Sequence, residues 1–182
     1  MNTLYLKVPT YNELYYKKHL QEDPHTMDYN AGYDLNFKGY DKSTGCIAFP
    51  EEKWEDWYNN QKNKDHNFYA YICKKENNEF IGSVNFHFNF ETNRYDCGIL
   101  IEAKHRGQGY SEEALRLLVE TAFNKYNIDT LYDNFPVTRT SAIKAFERVG
   151  FKPSGGTYFM KKFGKDEEII IFKLEKKDYI LL

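Results

Sequence analysis

Apolar and polar positions alternate with a period of two over three successive stretches near the middle of the chain, 67–74, 79–90 and 94–102. The polar clusters Glu76-Asn77-Asn78 and Glu91-Thr92-Asn93 separate them. This pattern predicts a three-stranded antiparallel meander. The period then changes to that of a helix, with Ala114, Leu115, Leu118, Ala122 and Phe123 forming one apolar face between about Gly109 and Tyr126. Asp129 to Phe135 reads as the next strand, and a helical crossover makes it parallel to the strand before the helix. Thr140 to Val149 predicts a last long helix, stopped at Gly150, and Phe151–Lys162 and Glu168–Leu174 complete the sheet.

The pattern is weaker before the meander. Thr3 to Val8 reads as a short strand ended by Pro9, and Tyr11 to about Gln21 as a helix. A second helix opens at Pro50, with Glu51 and Glu52 beside the positive end of its dipole and Trp54, Trp57, Tyr58 and Gln61 on one face. That stripe has the spacing of core packing. The stretch 22–49 holds Gly32, Gly39 and Gly45 with no sustained period, so we expect a long ordered loop with at most one helical turn. The element order predicts an α/β (α+β) fold: one mixed sheet flanked by helices, in a single domain spanning 1–182.

The most chemically specific stretch runs from Ile99 to Leu115, where a β-branched strand meets a turn with two glycines and then a helix. Gly107 and Gly109 can adopt backbone angles closed to other residues, and the first turn of the helix points unpaired N–H groups at the same spot. Such a site suits a phosphate. The Lys-Ser/Thr pair of a Walker loop is missing, as is the three-glycine spacing of a dinucleotide fingerprint.

Arg106-Gly107-Gln108-Gly109-Tyr110-Ser111 resembles the Arg/Gln-x-x-Gly-x-Gly/Ala signature of the GNAT family of N-acetyltransferases. Ser141-Ala142-Ile143-Lys144-Ala145-Phe146-Glu147-Arg148-Val149-Gly150-Phe151 is similar to that family's last helix. The resemblance implies a sheet whose two parallel central strands splay apart, with the pantetheine arm of acetyl-coenzyme A in the gap. It places the main chain of Ile99, Leu100 and Ile101 along that arm, the turn Arg106, Gly107, Gln108, Gly109, Tyr110 and Ser111 at the pyrophosphate, and Phe146 near the thiol. The cofactor-binding core would span about 94–151 and the acceptor side about 9–66. Three positions depart from the family pattern. Ser111 replaces a Gly or Ala, Arg139 stands where Asn is frequent, and Phe146 replaces the Tyr that protonates the departing thiolate in many members.

Acetyl transfer to an amine needs a neutral nucleophile, so a base must remove a proton from an ammonium group. Asp96 is the first candidate because it lies where one branch of the family carries a Glu base. Strand alternation puts Glu102 on the same side as a reserve, and Asp133 lies on the other wall of the splay. Ser141, Tyr132 and Tyr158 are alternatives for the acid that Phe146 cannot supply, and His87 could shuttle a proton. Tyr29, Tyr33, Phe37 and Tyr40, with Asp28 and Asp34 among them, suit a cationic amine or a loop that packs on itself.

Composition narrows the alternatives. The 182 residues carry 25 Lys and Arg against 27 Asp and Glu, a formal net charge of −2, with no basic stripe for a nucleic acid. No apolar run approaches the roughly 20 residues of a membrane span and no signal pattern opens the chain, so a cytoplasmic protein is expected. Cys46, Cys73 and Cys97 are odd in number and widely spaced, which predicts small core residues and no metal. The expected activity is acetyl-coenzyme A-dependent acetylation of a small cationic amine or a protein amino terminus. The alternative is a non-catalytic acyl-coenzyme A-binding protein, and the oligomeric state stays open, a homodimer included.

Overall fold

The structure, a computed structural model, describes residues 3–62 and 66–179; residues 63–65 of the expected acceptor-side segment lie outside the described residues. Seven strands form one sheet in the order β1-β2-β3-β4-β5-β7-β6: β1 (Leu4–Lys7), β2 (Asn67–Lys74), β3 (Phe80–Asn89), β4 (Arg94–Ile101), β5 (Thr130–Pro136), β6 (Lys152–Lys162) and β7 (Lys165–Glu175). The helices are α1 (Leu14–Glu22), α2 (Pro24–Met27), α3 (Trp54–Lys62), α4 (Tyr110–Glu120), α5 (Thr140–Val149) and α6 (Lys176–Tyr179).

The one parallel pairing, β4 with β5, is also the shortest. It joins Tyr95 to Leu131 and Asp96 to Tyr132, after which the strands run on to Ile101 and Pro136 without pairing. The expected splay is therefore present. Its walls are held from outside, because β4 pairs with β3 along its length and β5 with β7.

The apolar periodicity explains the two layers. Odd positions of β4 join Val84, Leu115, Leu118, Phe135 and Phe146 in a core under α4 and α5, while Leu100 packs with Tyr16, Leu20, Tyr71 and Cys73 under α1. The buried Tyr71 hydroxyl is satisfied twice, donating to the Glu13 carbonyl at 2.7 Å and accepting from the Lys17 N–H at 3.1 Å.

Several boundaries differ from the sequence expectation. The helix expected to run to Tyr126 ends as an α-helix at Glu120 and continues as a π-helical turn over Thr121–Lys125, where the Thr121 hydroxyl donates to the Leu117 carbonyl at 2.8 Å. The last strand begins at Lys165, not at 168. A two-residue turn precedes it, with Phe163 and Gly164 both at positive φ, the geometry that fits hairpin twist. A Phe in that conformation carries no local signal. Its N–H donates to the Gly32 carbonyl at 2.7 Å and its ring fills the place a side chain at Gly32 would take, so the loop holds the turn. The stretch 22–49 contains α2 and a 3-10 turn, with Asp23 capping α2 through the N–H groups of His25 and Thr26. Cys73 and Cys97 are buried and Cys46 is half-buried, all three free. Among the described residues no helix is long and apolar enough to cross a membrane, and no cluster of His, Cys, Asp and Glu could hold a metal ion.

Candidate active site

The open end of the splay leads to a cavity of about 450 Å³ between the end of β4, the glycine turn and α5. Gly107 and Gly109 both take positive φ, and a side chain added at either would meet nothing within 4 Å. The two glycines are thus required by conformation, and the space above them is free for a ligand to approach the main chain. Gly109 is also the N-cap of α4 and no side chain caps that helix, so its first N–H groups remain available to an anion.

The two walls of the splay offer different groups. The Glu102 N–H donates to the Ile81 carbonyl on β3 at 3.0 Å, and the Leu100 carbonyl points the same way, where any side chain at Gly82 would collide with it. The main chain of Ile99 and Ile101 therefore faces the gap, whereas Leu100 lines the cavity but turns its main chain to β3. Ser111 and Phe146 line the cavity as expected. Gln108 instead reaches back to the Lys104 carbonyl at 3.4 Å, and Tyr110 packs against the core.

Arg106 lines the cavity, but its guanidinium is bound to protein. It donates to the carbonyls of Ile101 and His25, each at 3.2 Å, to that of Thr26, and to Asp28 Oδ1 at 3.1 Å. The side chain thereby straps α2 to the glycine turn. Two other arginines supply cationic lining: Arg139, the N-cap of α5, and Arg148 in the last turn of α5. Arg148 had no role in the sequence reading, since nothing near it in the chain marks it. Glu112, an acid in the same cavity, is paired with Arg116 at 3.2 Å.

The three carboxylates proposed as base lie in distinct surroundings. Glu102 is buried, and burial alone would push its carboxyl up. Hydrogen bonds from His19 and Tyr16, each at 2.9 Å, and the Lys104 ammonium at 3.2 Å outweigh it and hold the carboxyl below its usual range. Glu102 is a strut joining α1 to β4. Asp96, half-buried at the last parallel pair, receives Arg94 Nε on Oδ1 at 2.7 Å and Asn89 Nδ2 on Oδ2 at 3.0 Å. Asp133 is different. Burial pushes its carboxyl up to about 8; the Asn134 N–H, at 2.7 Å, and the charge of Arg139 oppose the rise, and Asp96 adds to it. No other hydrogen bond reaches the Asp133 carboxyl among the described residues.

The candidate acids are also distributed unevenly. Ser141 lines the cavity; Tyr132 lies beneath the Arg94 guanidinium, 5.1 Å from its carbon, and Tyr158 borders a smaller cavity beyond Arg139. Burial raises the Tyr158 phenol, with Asp96 and Asp133 adding and Arg94 opposing. Phe146 is 1 % exposed and packs edge-on between Phe135 and Phe151. Tyr29, for which the sequence suggests an aromatic face for a cation or a loop that packs on itself, lines both cavities and lies 4.6 Å from the Arg139 guanidinium. Burial raises its phenol, so it stays protonated. His87 is exposed. The acids of the long loop are taken up internally, Asp28 by Arg106 and Asp34 by Lys42, while Tyr33 donates to Glu167 at 2.6 Å and Tyr40 to the Asn30 carbonyl at 2.8 Å.

Comparison with known proteins agrees with this geometry. A relative from Bacillus licheniformis, described as an uncharacterized N-acetyltransferase p20, is 26 % identical over 110 residues, 59 % of this chain and 62 % of that protein, so the match leaves over a third of the relative uncovered. Among solved structures, a spermidine N-acetyltransferase from Vibrio cholerae, crystallised with CoA and spermine, superposes with a TM-score of 0.79 at 16 % identity over 99 % of both chains. A GNAT-family acetyltransferase from Bacillus anthracis gives 0.71 at 14 % identity over 96 % of each. The acetyltransferase (GNAT) domain model matches residues 9–152. With a splayed parallel pair, an open glycine turn and this match over most of its length, the chain belongs to the GNAT family of acetyltransferases.

Proposed function

We propose that this protein is an acetyl-coenzyme A-dependent N-acetyltransferase that acetylates a primary amine by direct attack on the thioester. The observation that carries the reading is the continuous path from the unpaired edges of β4 and β5 to two unobstructed positive-φ glycines at the start of α4. Acetyl-coenzyme A would supply the activated acyl group and a thiolate that leaves readily. The turn N–H groups at Gly107–Ser111, with Arg139 and Arg148, would hold the phosphates. Ile99 and Ile101 offer the main-chain hydrogen-bonding edge. Asp133 is the base best suited to take a proton from an ammonium group, because a carboxyl near 8 accepts protons at the pH where amines begin to lose them. Tyr29, neutral and at the junction of the two cavities, is the donor we assign to the leaving sulfur in place of Phe146. A small amine acceptor is in keeping with the spermidine acetyltransferase among the structural neighbours. The close packing of Phe146, which leaves no hydroxyl at that point, favours a second reading as a non-catalytic acyl-coenzyme A-binding protein.

Coenzyme A should raise the melting temperature, by mass action equivalent to about 2.7 kcal/mol at a hundredfold excess over Kd. Gly109→Val should remove most of that shift while leaving the unliganded protein folded but destabilised by about 1–3 kcal/mol, since the turn is exposed and the strain of a β-branched residue at positive φ is local. Equal coenzyme A binding by the variant would refute the phosphate site. Release of free thiol from acetyl-coenzyme A with a panel of primary amines separates the two readings: turnover supports the enzyme, and binding without turnover on every amine supports the sensor.

A further inference from the structure

A larger cavity, of about 780 Å³, lies between α3 and the paired ends of β2 and β3. The one lysine among its described lining residues, Lys17 of α1, is 8 % exposed, and its ammonium is enclosed by three rings, 5.1 Å from the centre of Phe49 and 4.8 Å from those of Trp57 and Tyr69. Aromatic faces attract a cation but bring no countercharge. Among the described residues no carboxylate pairs with Lys17, and none of the described lining residues is acidic; Gln61, Asn67 and Asn85 are neutral hydrogen-bonding groups. Burial lowers the Lys17 ammonium to about 8, so at neutral pH most of it is charged. A buried, charged group that lines a cavity and has no anionic partner among the described residues suits an anion as its ligand.

The cavity lies one strand away from the splay. Two of its lining residues on β3, Asn85 and His87, pair with Gly98 and Asp96 of β4, next to the Asp96–Tyr132 pair after which the parallel strands part. We propose that the amine acceptor carries a carboxylate and an aromatic or apolar body, as an aromatic amino acid does. Its carboxylate would lie on Lys17, its body against Trp57 and Tyr69, and its amine would reach β4 at Gly98. This rests on the acetyltransferase reading and gives it a substrate class. A polyamine is disfavoured in this cavity, because its second cation would face the Lys17 ammonium with no carboxylate among the described lining residues.

The parent protein and acetyl-coenzyme A test this with three acceptors: L-phenylalanine, L-phenylalaninamide and spermidine. The expected result is a KM for the free acid about tenfold or more below that for the amide, the scale of a desolvated charge pair, with spermidine poorest. Lys17→Met, which keeps the length of the stem, should erase the acid-over-amide difference, and Lys17→Arg should keep part of it. Binding of N-acetyl-L-phenylalanine against its amide to the parent protein, followed by calorimetry, gives the same comparison without a variant and without catalysis. Turnover with equal KM for acid and amide, or with spermidine preferred, overturns the inference and leaves the acetyltransferase reading standing. No turnover on any amine while coenzyme A binds overturns that reading, and the acceptor role with it.

Discussion

At the scale of single residues, Asp96 and Asp133 are the instructive pair, since they lie on facing strands at the mouth of the splay and differ in partners. Asp96 has both oxygens engaged by Arg94 and Asn89, and Asp133 has one oxygen held by its own neighbour's N–H. Asp96→Asn should therefore act first on stability, costing about 1–3 kcal/mol by leaving a half-buried guanidinium short of its carboxylate. Asp133→Asn should act first on rate, with a loss on the order of 10²- to 10⁴-fold in kcat/KM. Parent kcat/KM should rise with pH towards the Asp133 value of about 8, and the variant should lose that inflection and regain activity at higher pH, where more of the amine is already neutral. Stability has the opposite sign. An unfolded Asp titrates near 3.9, so between about 4 and 8 the folded state holds a proton that the unfolded state has lost, and the parent is destabilised as pH rises through that window. The melting-temperature advantage of Asp133→Asn over the parent should thus grow from pH 5 to pH 8. A parallel pair of melting curves would remove Asp133 from this role.

At the scale of elements, the glycine turn depends on a segment far away in sequence. The Arg106 guanidinium fastens α2 and the following turn to the end of β4 through contacts with His25, Thr26, Asp28 and Ile101. A planar fork with several donors can make these bonds together, and an ammonium on a single point cannot. Arg106→Lys should therefore speed amide exchange across residues 24–31 and weaken coenzyme A binding, with little change in the core strands. Protection of 24–31 equal to the parent's would show that the strap is not what orders the segment. This coupling was only half legible in the sequence. Arg106 stood out because the glycine spacing beside it is local. Its partners did not, because α2 and its capping Asp23 sit in a stretch without period.

Across the whole molecule, the sheet is pinned to its helices by carboxylates that accept hydrogen bonds. Glu113 on α4 receives the N–H groups of Thr3 and Leu4 at 2.6 and 2.7 Å, Glu102 joins α1 to β4, and Glu167 ties Tyr33 and Thr138 to β7. Burial raises each of these carboxyls, but their hydrogen bonds and neighbouring cations outweigh it, so all three titrate below their usual range. Their contribution is present above the unfolded Glu value near 4.3 and is lost as pH falls through the lower folded values. These carboxylates should therefore cost the fold nothing down to about pH 5 and make the melting temperature drop steeply below about 4, and Glu102→Gln should flatten part of that drop. An unchanged acid limb in Glu102→Gln would mean that α1 and β4 are held by packing alone.

The sequence by itself determined what is encoded over short distances. Period-two alternation marked the three strands of the meander, a helical face marked α4, and two glycines two apart marked a turn that only positive φ can satisfy. These signals depend on neighbours in the chain, so the element order and the glycine turn could be read from them, and the splay followed from the GNAT resemblance that the turn and last helix carry. The tertiary structure decided everything that depends on residues meeting across the fold. Strand direction alone settles that Ile99 and Ile101 face the gap while Leu100 turns to β3. Enclosure, which no local pattern reports, pushes Asp133 up and leaves Asp96 and Glu102 held by partners. Tyr29 and Arg148 come to one cavity from opposite ends of the chain, and Lys17 meets Phe49, Trp57 and Tyr69 only because α1 and α3 pack on the same face of the sheet. The physical reason is the same in each case: backbone periodicity is a property of neighbours in sequence, whereas charge, burial and reach are properties of neighbours in space.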